Sequence, residues 1–226
     1  MIRHLNADIS FCELDDRLFF LDIQRDRYFQ LSRRLERNFL GYLEASDDAD
    51  VDVSELVRHN LLTRTSTARA WKSTGPDIAP PGQSVLETPC SDRRVPLDMV
   101  RDVFLIVAMT RWQLKIRRLK PILQALSDYR HTRTSPLAGA EPEVQQRLSE
   151  AATAFNRVRP YIPIETCCLI DSLSLVRFLA KCGLHAHLVM GVACDPFSAH
   201  ARVQHGPLVL NETVGTAQAH VPIRVI

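Results

Sequence analysis

Between Lys72 and Ser84 the chain reads Lys-Ser-Thr-Gly-Pro-Asp-Ile-Ala-Pro-Pro-Gly-Gln-Ser, and no helix or interior strand is expected to run through such a stretch. Its prolines remove backbone donors, its glycines loosen the backbone, and no apolar period spans it. The chain is therefore expected to fold as two parts: a first domain over 1–75, a linker over 76–95 and a second domain over 96–226. With 226 residues in all, each part is long enough to bury a core.

The first part opens on strand patterns. Ile9-Ser-Phe-Cys-Glu-Leu14 partly alternates, and Arg17-Leu-Phe-Phe-Leu-Asp-Ile23 is rich in strand formers. Arg27-Tyr-Phe-Gln-Leu31 follows the polar turn Gln24-Arg-Asp26, which makes a three-stranded meander. Leu35, Phe39, Leu40 and Leu43 then recur at helical spacing. Ser46 to Asp52 reads as an acidic loop. Ser54 caps a short helix carrying Leu56 and Val57, Asn60 ends it, and Leu61 to Thr65 returns as a strand.

The second part begins helical. Residues 96–130 read as two helices, with Pro121 starting or kinking the second, and 131–140 as a loop. Val144, Leu148, Ala151 and Phe155 mark one face of a helix over 141–157. Leu169, Leu173, Val176, Leu179 and Ala180 mark another over Cys168 to Cys182, closed by Gly183. His185 to Val192 reads as a buried strand. His200 to Gln204 and Leu208 to Glu212 form a hairpin around His205-Gly-Pro207. The fold class is α+β.

Composition excludes several roles. A net charge of +2 offers no field for nucleic acid or an acidic membrane as the main partner. The basic run Arg111 to Lys120 reads as a solvated helix face. The longest apolar run, Val103 to Met109, falls far short of the roughly 20 residues of a membrane span. The N-terminus lacks a signal-peptide pattern, and the six cysteines include no C-x-x-C pair. A cytoplasmic protein with reduced thiols follows, with no cofactor and no metal site. His185 and His187 share a strand face, but no third ligand accompanies them.

One constellation carries chemistry. A thiol attacks as thiolate, and a helix N-terminus favours that charge. Cys168 stands where its helix begins, and a histidine beside it can hold the proton. Cys167 is the adjacent alternative nucleophile. Cys182 and Cys194 read as core residues, and His205 as a solvated turn residue. If the hairpin loop is His205 to Pro207, Gln204 faces Leu208 and His200 faces Glu212; a turn one residue shorter puts Asn211 there instead. Either side chain can orient an imidazole.

Four segments in this order resemble the lasso peptide biosynthesis B proteins: Cys168-Leu-Ile-Asp-Ser-Leu-Ser-Leu175, Gly183-Leu-His-Ala-His-Leu-Val-Met-Gly-Val192, Pro196-Phe-Ser-Ala-His-Ala-Arg-Val203 and Leu210-Asn-Glu212. These are leader peptidases with a transglutaminase-like, papain-like cysteine protease fold. The resemblance implies Cys168 as nucleophile, His200 as base and Glu212 where the family usually has Asp. Arg202 departs from the family's Trp, and Gln204 from its Glu. Phe20 to Leu31 resembles the fused leader-recognition module of such systems, a winged-helix-like domain related to pyrroloquinoline quinone chaperones. That implies leader binding by strand addition along Arg27, Tyr28, Phe29, Gln30 and Leu31. It also implies a precursor peptide as substrate and an asparagine-synthetase-like lasso cyclase as partner.

Overall fold

The computed structural model describes residues 4–44, 54–63, 77–88, 95–134 and 142–226. The expected acidic loop over 46–52 and the whole Lys72–Gly75 run lie outside them. The chain divides into two compact units, Met1–Gly75 and Pro76–Ile226.

The first unit is built on β2 (Ile9–Leu14), β3 (Arg17–Asp22) and β4 (Arg27–Gln30), an antiparallel meander in that order. Asp15 and Asp16 both take positive φ, the geometry of a two-residue turn whose twist matches the strands. The Asp22 carboxylate accepts from the backbone N–H groups of Gln24 and Arg25, each at 3.0 Å, and so shapes the second turn. Register places Phe11, Phe20 and Phe29 in one row across the sheet. Their rings stack at 5.7 and 5.3 Å. Helix α1 (Arg33–Glu44) lays Phe39 edge-on against Phe11 and Phe20, at 5.1 and 5.2 Å. A short α2 (Ser54–Arg58) adds Leu56, and β5 (Leu62–Thr63) pairs with β1 (His4–Leu5). Asn60, at φ +60°, ends α2 as expected: the Leu61 N–H returns to the Leu56 carbonyl at 2.9 Å.

In the second unit, β6 (Gln83–Ser84) precedes α3 (Leu97–Ile116), α4 (Leu119–Arg133) and α5 (Pro142–Val158), and α5 runs into a 3-10 turn over Arg159–Tyr161. Pro121 sits in the first turn of α4, where its missing N–H has no partner to lose. Helix α6 (Cys168–Lys181) follows. Then come β7 (His187–Ala193), β8 (Ser198–His205), β9 (Leu208–Val209), α7 (Val214–Gln218) and β10 (Val221–Val225). The sheet order is β10-β7-β8-β9-β6. Helix α6 packs between β8 and the helices α3, α4 and α5. Covered on nearly all sides, it buries Leu173, Leu175, Val176, Phe178 and Leu179. Gly183, at φ +74°, closes it: its own N–H reaches Ala180 O and the Leu184 N–H reaches Leu179 O, a Schellman cap.

Three expectations need correction. Part of the stretch read as linker belongs to the second unit's sheet. β6 pairs parallel with β9, Ser84 Oγ donates to the Glu212 carbonyl at 2.5 Å, and the Ala79 carbonyl accepts from Gln204 Nε2 at 2.6 Å. Proline and glycine there shape an extended edge segment whose polar groups are satisfied by distant partners. The hairpin register also differs from both alternatives. Its loop is Gly206-Pro207, with Gly206 at φ +53°, and His205 pairs with Leu208 inside the ladder. His205 is not a solvated turn residue either; its Nδ1 donates to the His185 carbonyl at 2.9 Å.

Candidate active site

Cys167 is the N-cap of α6 and leaves the first-turn N–H groups uncapped by any side chain. Cys168 is the first helical residue, where unpaired N–H groups and the helix dipole favour a negative sulfur. Its thiol is held below the usual thiol range, chiefly by a hydrogen bond with the His200 side chain. Burial opposes this; bonds from the Ala201 and Leu169 backbone and the His200 charge support it. Cys167, by contrast, is exposed.

His200 enters from β8, opposite Gly191 of β7. Its Nε2 is hydrogen-bonded to Glu212 Oε2. The bonds to Cys168 and then to Glu212 push the imidazole up to about 9, against burial. Both perturbations favour the thiolate–imidazolium form at neutral pH. Glu212 is buried and lies in the irregular stretch after β9, so it reaches His200 without facing it across a ladder.

Asn211 has a different part. Its Oδ1 accepts from the Val203 N–H at 2.8 Å, and its Nδ2 donates to Ser172 Oγ at 2.9 Å. Ser172 in turn donates to the Ala201 carbonyl at 2.8 Å. Ser172 lies one helical turn after Cys168 on the same face, and Ala201 follows His200. These bonds rivet α6 to β8 beside the thiol and imidazole. Arg159 fixes the approach to α6: its Nε donates to Asp171 at 2.6 Å, and its other nitrogens to the Ile164 and Glu165 carbonyls at 3.0 Å each.

Sequence reasoning did not single out His220. Its ring lies 4.9 Å from that of His200, with Nε2 near Ser198 Oγ at 3.2 Å and Nδ1 donating to the Thr216 carbonyl at 3.0 Å. Gly191 permits this approach. A Cβ there would meet His220 Cβ and the Val221 carbonyl at 3.1 Å. His185 and His187 sit elsewhere, ring to ring at 4.8 Å. Among the described residues no cluster of His, Cys, Asp or Glu could hold a metal ion, and no helix is long and apolar enough to cross a membrane.

In the first unit, β4 is an edge strand. Phe29 and Leu31 pack against that unit's core, and the Arg27 guanidinium lies 5.2 Å over the Phe29 ring. Gln30 and Leu31 line a groove of about 850 Å³ with Leu18, Arg33, Glu36 and Leu40. Tyr28 pairs with Leu21.

No curated protein and no solved structure matches this chain. One family model, described as the transglutaminase-like superfamily, matches residues 107–225, more than half of the chain. That span contains Cys168, His200 and Glu212 and runs from within α3 to the end of β10. The chain belongs to the transglutaminase-like superfamily.

Proposed function

We propose that this protein is a cysteine peptidase that removes the leader from a ribosomally made lasso peptide precursor. The observation that carries the reading is an imidazole engaged at Nε2 by a buried carboxylate and holding low the Cys168 thiol at the start of α6. With Nε2 taken by Glu212, Nδ1 is the ring nitrogen that exchanges a proton with Cys168. The thiolate attacks the scissile carbonyl carbon, and the carbonyl electrons move onto oxygen. The Cys168 backbone N–H, free of any partner one turn back, is placed to stabilise that oxyanion. The imidazolium gives its proton to the departing amine, leaving a thioester. His200 then takes a proton from water, the hydroxide displaces the thiol, and the leader leaves as a carboxylate. Glu212 holds the ring orientation and the imidazolium charge throughout.

The first unit acts as a winged-helix-like leader-recognition domain. Its β4 edge over Arg27 to Leu31 offers backbone for an added strand, and the adjoining groove offers a side-chain pocket. The freed core peptide passes to an asparagine-synthetase-like lasso cyclase in the cytoplasm. The test is a peptide aldehyde bearing the residues before the cleavage site, with the adduct mapped by mass spectrometry. Modification of Cys168 is expected; modification of Cys167 instead, or of neither, contradicts the assignment.

A further inference from the structure

Arg202 is the largest fully buried side chain of the described residues, at 1% exposure. A buried guanidinium needs both hydrogen bonds and counter-charge. Its Nε donates to Gln204 Oε1 at 3.0 Å and its Nη1 to the His220 carbonyl at 3.3 Å. Both acceptors are neutral. Burial lowers its proton affinity, and the charge that opposes this is Glu212. No direct ion pair joins the two, so the effect is through space. Arg202 Nη2 and Glu212 Oε1 are each buried without a hydrogen-bond partner. Gln204 is itself held from behind, donating to the Ala79 and Gly206 carbonyls at 2.6 and 2.8 Å. Positions 202, 204 and 212, read from sequence as three separate departures, thus form one assembly. His220, whose carbonyl Arg202 holds, also lies against the His200 ring.

We infer that Arg202 is a positioning residue for the site: its guanidinium, clamped by Gln204 and the His220 carbonyl, is the second cation of Glu212 and keeps that carboxylate committed to His200. The inference rests on the proposed Cys168–His200–Glu212 chemistry. The charges acting on His200 itself are those of Glu212 and Cys168, so Arg202 works through Glu212. Without it, the buried carboxylate has one cation fewer to offset its burial and is free to take the imidazolium's proton, so the thiolate loses its counter-ion and is protonated at a higher pH.

The experiment follows iodoacetamide alkylation of Cys168 against pH by peptide mapping, in the full-length protein, and needs no substrate. Arg202→Met is expected to move the acid limb up by about one pH unit, a roughly tenfold lower rate along that limb. Arg202→Lys, which keeps a cation and a donor, is expected to restore most of the wild-type profile. If Arg202→Met does not fold, Gln204→Leu, which frees the guanidinium from its clamp, is expected to shift the limb the same way. A folded Met or Leu variant with the wild-type profile overturns the inference while leaving the peptidase reading intact. So does a Lys variant no better than Met. A wild-type Cys168 that titrates like an ordinary free thiol overturns both.

Discussion

Acid should unfold the second unit by a route that runs through His185. This side chain is buried, and burial first, then the Arg130 charge and the neighbouring His187, His205 and His131, lower it to about 4 from 6.5. A lowered histidine is neutral in the fold, while the unfolded chain binds a proton as pH falls through 6.5. Stability from this site is therefore present above pH 6.5 and is lost as pH falls towards 4. Between pH 7 and pH 4.5 the linkage amounts to about 2 kcal/mol. His187, also lowered by burial and by Arg130 and His205, adds to the loss in the same direction. Arg130 cannot relax away, since its Nη1 donates to the Ala186 and Ile226 carbonyls at 2.9 and 2.7 Å. The assay is urea unfolding by circular dichroism at the two pH values, for wild type and His185→Gln. The variant should lose about 2 kcal/mol less than wild type over that interval. Equal pH dependence in both proteins would refute the reasoning.

Other substitutions read other joints. Glu212→Gln removes a charge-assisted hydrogen bond worth about 2 kcal/mol and should slow precursor cleavage roughly thirtyfold; a steady-state comparison giving unchanged kcat/KM would contradict the role of Glu212. Ser172→Ala leaves the Ala201 carbonyl and Asn211 Nδ2 without their bonds, so a loss of about 1–3 kcal/mol is expected in chemical unfolding. Leu31→Asp places a charge in the groove beside β4 and should weaken leader binding by about tenfold or more in a fluorescence titration, with Cys168 alkylation unaltered.

Much of the fold was legible because local rules and tertiary packing agree. The meander follows from alternation plus two turns rich in Asp, and α6 from its apolar stripe and the left-handed Gly183. The hairpin register was not legible. Two turn placements are read from His205-Gly-Pro207, and the one adopted is neither of them: it pairs His205 with Leu208 and puts Gly206 at positive φ. Residues 77–88 read as linker because their pairing partners, Val209, Glu212 and Gln204, lie more than 120 residues away and leave no local period. The final strand β10, Val221-Pro-Ile-Arg-Val225, was missed because Pro222 argues against a strand; β10 sits at the sheet edge, where proline is tolerated.

Within the site, Cys168, His200 and Glu212 carry recognisable chemistry and were named from sequence. Ser172, Arg159 and His220 act through backbone carbonyls, a role that residue type alone does not announce. Arg202 and Gln204 were visible only as departures from a pattern. Their mutual bond needed the strand geometry, since residues two apart on β8 share a face.

Everything proposed for the site turns on the Cys168 sulfur as the nucleophile. The most direct measurement incubates wild type and Cys168→Ala with the precursor peptide and follows cleavage by mass spectrometry and binding by fluorescence anisotropy. Cys168→Ala is expected to bind the precursor as wild type does and to release no leader. Cleavage at a wild-type rate by that variant would contradict the assignment.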